Sequence, residues 1–207
     1  MSAKPGGLAM LQTRRGFTLI EMIVVMLMLA VVASVALPRA VKSSPELQVD
    51  LAARALARDL EQLRMRAIAA KRNMRVVFDE SENFYTAFMD LTPERSGSFS
   101  HTDEEVRESG LLTRGSSEGV PGVRLRKNVE YGSGSASVGP QAFAADGPVN
   151  LENDRVEFDA RGMVIPAGSS GVIYLVHSDE PAAVAAVTIS GASAFHTWRY
   201  RGGRWIK

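Results

Sequence analysis

From Phe17 to Leu37 the chain is almost pure hydrocarbon, and this run limits what the rest can fold into. Met22 to Ala33 is unbroken apolar residue, and Val35-Ala36-Leu37 carries the run to Pro38. As a helix, about 21 residues span roughly 32 Å, enough to cross the hydrocarbon core of a bilayer. Arg14-Arg15-Gly16 stand immediately before the run, and Glu21 interrupts its first turn. In a secretory signal peptide the cut follows the apolar segment at a small-residue site. Here the only cut-like feature, Arg15-Gly16 before Phe17, precedes it, so cleavage leaves the helix on the mature protein. Lys4, Arg14 and Arg15 keep the N-terminus cytoplasmic by the positive-inside rule, and the remainder is expected on the other side.

The string Arg14-Arg15-Gly16-Phe17-Thr18-Leu19-Ile20-Glu21 resembles the class III signal of type IV pilins, type II secretion pseudopilins and their relatives. The resemblance covers about the first forty residues and implies a bacterial inner-membrane protein with its C-terminal domain in the periplasm. It implies a prepilin peptidase that cuts after Gly16 and N-methylates Phe17. Pro38 also suits it, since helices of this superfamily often carry a proline at that depth. A carboxylate at the centre of a membrane helix costs roughly 2.5–3.5 kcal/mol. Glu21 lies about one turn from Phe17, nearer the interface, and still asks for a cation. The partner the resemblance implies is the new α-amino group at Phe17 of a neighbouring subunit; the alternative is that Glu21 snorkels to the headgroups.

Residues 1–16 therefore read as a leader, 17–37 as a transmembrane helix, 38–72 as an amphipathic continuation and 73–207 as a β-rich domain. The chain has no cysteine, which excludes disulfides, thiol nucleophiles and thiolate metal sites, and its net charge of +1 provides no global field for nucleic acid or lipid. A periplasmic domain of this composition must hold by packing alone. Ser44-Pro45 suits a helix restart, with Ser44 as N-cap and Pro45 at the first helical position. Leu47, Leu51, Ala55, Leu56, Leu60, Leu63, Ala67 and Ile68 then recur at three- and four-residue steps, predicting an amphipathic helix to about Arg72. Arg54, Arg58, Arg64, Arg66, Lys71 and Arg72 read as its solvated face.

Beyond it, short strands are expected at 74–78, 84–90, 123–131, 156–159, 171–177, 183–190 and 195–200. Residues 91–119 and 132–147 read as loops. The expected class is α+β, a long N-terminal helix followed by an antiparallel sheet or sandwich. This layout resembles the GspH/FimT group of the same superfamily. The resemblance rests on Val156-x-Phe158-x-x-x-Gly162, on Gly171-Val-Ile-Tyr-Leu175, on Ser190-Gly191 and on the helix phrase from Leu56 to Ala69.

No catalytic constellation is present. His101, His177 and His196 are scattered, and His101 with Thr102-Asp103-Glu104-Glu105 lacks the grammar of a calcium loop. Ser43-Ser44 and Ser116-Ser117 have no adjacent base, and Gly132-x-Gly134 has no dinucleotide-site context. Neither enzyme activity, cofactor nor metal is expected. The C-terminus packs Trp198, Tyr200 and Trp205 among Arg199, Arg201, Arg204 and Lys207, a composition that can contact phosphates and stack on bases. FimT-like minor pilins are associated with DNA uptake through a Gly-Arg-x-Arg motif, but here Gly191 is followed by Ala192-Ser193-Ala194. The favoured reading of the tail is a hairpin about Gly202-Gly203 with its cations in water, and DNA is not expected as a partner. The residues and the resemblance together imply a type II secretion minor pseudopilin of the H kind, a structural subunit of the pseudopilus. Its implied partners are prepilin peptidase, other major and minor pseudopilins, inner-membrane lipid, and a secreted substrate or the secretin. The alternative is a FimT-like minor pilin of a type IV pilus, serving pilus biogenesis or DNA uptake.

Overall fold

The computed structural model describes residues 17–41, 44–91, 111–117, 119–145 and 147–207. The expected leader, with Gly16, and residues 92–110, with His101, lie outside these residues. The chain divides between Ser43 and Ser44 into two compact units. In the first, helix α1 runs Leu19–Val41, through Pro38. Thr18 starts it: its Oγ1 accepts the Glu21 amide at 3.3 Å and its carbonyl accepts the Met22 amide. Thr18-x-x-Glu21 is thus the spacing of a capping box. Glu21 lies in the first turn, where the helix dipole favours a carboxylate.

The second unit opens with α2, Pro45–Ala70. Its restart is the one the sequence predicts: the Ser44 hydroxyl accepts the Leu47 amide at 3.3 Å and Pro45 stands at the first position. Lys71 closes it in the left-handed conformation, its N–H returning to the carbonyls of Ala67 and Ile68. The buried stripe of α2 is Val49, Ala52, Ala53, Leu56, Leu60, Leu63 and Ala67. This corrects the expected face at both ends. Leu47, Leu51 and Ile68 are 47%, 37% and 37% exposed, because at 100° per residue Leu47 and Leu51 fall on the side opposite Leu60. Four-residue spacing alone did not reveal which of two overlapping stripes faces the core.

Twelve strands follow among the described residues. In chain order they are β1 Met74–Asp79, β2 Phe84–Met89, β3 Gly115–Ser117, β4 Val120–Arg124, β5 Val129–Tyr131 and β6 Val149–Asn150. Then come β7 Arg155–Phe158, β8 Val164–Ile165, β9 Gly171–His177, β10 Glu180–Ile189, β11 Phe195–Arg201 and β12 Arg204–Ile206. They form two antiparallel sheets, one ordered β3-β4-β2-β1-β7-β8, the other β12-β11-β10-β9-β5 with β6 also on β9. Three strands were not foreseen: β3, inside the expected 91–119 loop, β6 and β8. Each has two or three residues, too short for a period of two to show. The fold class is α+β, as expected.

One core lies between these layers. Leu56, Leu60 and Leu63 of α2 meet Met74, Val76 and Phe78 of β1, and Ile173, Leu175, Ala185 and Val187 of β9 and β10. Within it Phe78 meets the ring of Tyr131 edge-on at 6.2 Å, and Phe158 meets Phe195 likewise at 5.9 Å. All seven residues of β9 are buried. Its outward side chains Val172 and Tyr174 are covered by Phe143 and Ala145 of the 132–147 loop and by Trp198 and Trp205. Burial on both faces explains why Val-Ile-Tyr-Leu-Val does not alternate.

The Asp159–Gly162 turn links β7 to β8. The carboxylate of Asp159 accepts the amides of Arg161 and Met163 at 2.8 and 2.9 Å. Burial opposes its ionisation, but these bonds and the Arg161 guanidinium prevail and hold its pKa below the ordinary value. Gly162 adopts φ +78°, and a Cβ there would meet Ile68 of α2 at 2.7 Å.

Replacing Leu60, which is fully buried, by Asp leaves a charge in the core without a partner and should destabilise the fragment 44–207 by about 3 kcal/mol or more. Leu47→Asp, on the exposed side, should change stability by under about 0.5 kcal/mol. Urea unfolding followed by circular dichroism separates the two; equal loss in both would refute the packing face described.

Candidate functional site

The first candidate is the N-terminal segment. Phe17 is 77% exposed, and every side chain described from Phe17 to Ser34 is exposed. Leu19, Met22, Ile23, Met26 and Leu27 line a shallow apolar groove along α1. Among the described residues no helix is long and apolar enough to cross a membrane, and the side chains of α1 are described only to Ser34. Each uncovered Leu, Ile, Val or Met forgoes about 1.5–3 kcal/mol of burial. Such a helix is suited to association with lipid or other helices. Glu21 is its sole carboxylate.

The second candidate is the basic, aromatic C-terminus, which forms the expected hairpin. β11 and β12 pair about Gly202-Gly203, both with positive φ, +57° and +77°, the conformation of a two-residue hairpin turn. The aromatic rings are engaged in packing. Trp198 Nε1 donates to Thr188 Oγ1 at 3.0 Å and Trp205 Nε1 to the Val138 carbonyl at 2.7 Å. Tyr200 and Trp205 stand 5.1 Å apart, and Lys207 Nζ lies 5.8 Å over Trp198. Arg199, Arg201 and Arg204 are exposed on the other face. Arg201 and Arg204 are directly opposite across the strands, and Arg199 lies 3.6 Å from the Asp50 carboxylate of α2. The structure thus assembles three cations on one face, while Trp198, Tyr200 and Trp205 pack on the other.

Sequence reasoning missed a polar cluster on the core face of α2. Asp59 is 2% exposed. Its Oδ2 accepts from the Tyr85 hydroxyl and from Arg114 Nη2. Burial first, then the Asp59 charge, push the Tyr85 phenol far above its ordinary pKa, so it remains the donor. Tyr131 is raised too, by burial and then by the Asp79 and Glu80 charges. Asp59 lies one residue from Leu60 and one turn from Leu56, and that position on the buried stripe was the available signal. The cluster works as a clasp, fastening the 111–117 segment to α2 through Arg114.

His177 ends β9, as expected of a strand-end residue, and is buried. Its Nδ1 accepts the Asp179 amide at 3.2 Å, and its Nε2 has no partner among the described residues. His196 is half-buried in β11. Among the described residues no group of three or more His, Asp or Glu is placed to hold a metal ion.

Comparison with known proteins gives two kinds of result. Residues 11–37 match the prokaryotic N-terminal methylation motif. No curated protein matches the chain. Among solved structures, the type IV minor pilin FimU of Pseudomonas aeruginosa is 12% identical, with a TM-score of 0.43 over 77% of this chain and 92% of its own. The minor pseudopilin EpsH from the type II secretion system of Vibrio cholerae is 13% identical in one structure and 15% in another. These cover 72% and 74% of this chain and 95% of EpsH, with a TM-score of 0.43 in both. Likeness at this level does not bear on function.

Asp59→Ala should destabilise the fragment 44–207 by about 1–3 kcal/mol, since it strands the buried Tyr85 hydroxyl. Removing both polar groups, in Asp59→Ala with Tyr85→Phe, should cost less than the sum of the single changes. Chemical denaturation of the four proteins in a double-mutant cycle measures this coupling; strict additivity would mean the two groups do not interact.

Proposed function

We propose that this chain is a minor pilin-like subunit processed by a prepilin peptidase, and that it serves as a type II secretion pseudopilin. The observation that carries the reading is the methylation motif at residues 11–37, heading an apolar helix with uncovered side chains and followed by a domain with its own core. In this reading residues 1–16 are a leader, 17–37 cross the inner membrane, 38–72 are the amphipathic continuation, whose helix α2 packs into the domain core, and 73–207 form the β-rich periplasmic part. Phe17 is the methylated first residue of the mature protein. Glu21 pairs with the α-amino group of Phe17 in a neighbouring subunit, since either charge left unpaired in lipid is costly. The work of the protein is then binding: α1 among helices of other pseudopilins, and the domain against further subunits, exported protein or the secretin.

A type IV pilus minor pilin is the alternative, favoured by the exposed Arg199, Arg201 and Arg204. Against it, the stretch after Gly191, where the Gly-Arg-x-Arg motif would fall, has a structural task. Ser193 is buried, and its Oγ accepts the Val164 amide at 2.7 Å, joining the two sheets. With the nearby rings engaged as well, DNA binding at physiological salt is not part of this proposal.

Gly16→Val should block processing. Mass spectrometry of wild-type protein extracted from membranes should find an N-terminal N-methylated Phe17, and the variant should retain the leader. Mature protein beginning at Met1 would end the reading. Glu21→Val makes α1 more apolar, so the membrane fraction should hold steady while subunit crosslinking falls several-fold; unchanged crosslinking would contradict the pairing.

A further inference from the structure

At the β8 edge of the first sheet lies a recess that none of the roles above uses. The charged floor of the recess is three side chains on one face of neighbouring strands. Arg75 of β1 and Glu157 of β7 are a cross-strand pair, and Arg155 lies two residues before Glu157, hence on the same face. Glu157 Oε1 accepts Arg75 Nε at 2.8 Å and approaches Arg75 Nη2 at 2.7 Å and Arg155 Nε at 3.0 Å. One carboxylate oxygen thus serves two guanidiniums. Arg75 is enclosed, with 7% of its side chain exposed, and its guanidinium also lies 5.9 Å over the Phe88 ring. Arg155 differs. A third of its side chain is exposed, and Glu157 is its only ion-pair partner among the described residues. Ser169 and Ser170 also line the recess, and Leu151, Ile165 and Pro166 supply apolar wall.

We propose that this recess binds a carboxylate borne on a small aliphatic group, such as the C-terminal carboxylate of a polypeptide ending in an aliphatic residue. The fork of a guanidinium matches the two oxygens of a carboxylate, and a hydroxyl adds a further donor. The enclosed Arg75–Glu157 pair holds the floor rigid, so Arg155 is positioned before a ligand arrives. The choice of a singly charged anion follows from the acids present. Glu157 in the floor and Glu152 in the lining both repel a doubly charged phosphate more strongly than a carboxylate. The apolar wall has nothing to offer inorganic phosphate and suits an alkyl group.

The test uses the full chain in detergent micelles and isothermal titration calorimetry with three probes: N-acetyl-L-leucine, N-acetyl-L-leucinamide and inorganic phosphate. The acid should bind at least tenfold more tightly than the amide, and phosphate more weakly than the acid. Arg155→Gln should weaken the acid at least tenfold, Arg155→Lys should fall between, and Glu152→Gln should tighten it a few-fold by removing a competing charge. Melting curves identify any variant that has lost its fold, and Glu152→Gln tests the site without touching the Arg75–Glu157 floor. Equal binding of acid and amide, binding of the acid unaffected by either Arg155 change, or no binding of the acid would overturn the proposal. Phosphate binding that exceeds the acid and depends on Arg155 would overturn it in favour of a phosphate site.

Discussion

Burial of one face of α2 against two sheets holds the domain together. Leu56, Leu60 and Leu63 share one buried cluster with residues from both sheets, and the chain has no disulfide to share the task. Each fully buried aliphatic contributes about 1.5–3 kcal/mol, and the stripe is continuous from Val49 to Ala67. Both ends of the helix are finished locally, by Ser44 and Pro45 at the start and by Lys71 at the end. Arg72 then ties the helix end to the carbonyl of Asp90 just beyond β2, at 2.7 Å. The helix is thus the part against which the strands take their places.

Apart from His177 Nε2, the buried polar side chains described carry partners. Asp50 at the margin of α2 carries Arg54 at 2.9 Å, with Arg199 nearby at 3.6 Å, linking the helix to the terminal hairpin. Asp59 fastens Tyr85 and Arg114, and Arg75 and Glu157 pair across strands. Buried charges of this kind add little net stability over apolar replacements, but removal of one partner is destabilising. The outer face of the second sheet follows the same rule. The indoles of Trp198 and Trp205 bury their rings and still donate, to Thr188 and to the Val138 carbonyl.

A good part of this was legible in advance. Ser44-Pro45 announces a helix start because capping chemistry is local. β9 announces itself because five successive apolar residues exceed what a half-exposed strand carries. The terminal hairpin follows from Gly202-Gly203, since both turn positions need positive φ. Legibility failed where the decisive neighbour is distant in sequence. Leu47 and Leu51 look like core residues until the sheets choose Val49, Ala52 and Ala53. The aspartate at 59 has no visible partner until Tyr85 and Arg114 arrive. The short strands β3, β6 and β8 exist through their partners alone, having no periodicity of their own.

By itself, the order of residues determines the apolar helix, its capped start at Thr18, the methylation motif around Gly16 and Phe17, and the reliance on packing without cysteine. These are properties of adjacent residues, set by covalent spacing and local hydrogen bonding. Only the tertiary structure decides which face of α2 is inside, that the basic hairpin commits its rings to the sheet and leaves its arginines in water, and that Arg75, Arg155 and Glu157 meet at one edge. Those outcomes depend on contacts between residues tens of positions apart. Register and layer packing select them from many pairings that the sequence alone leaves equally open.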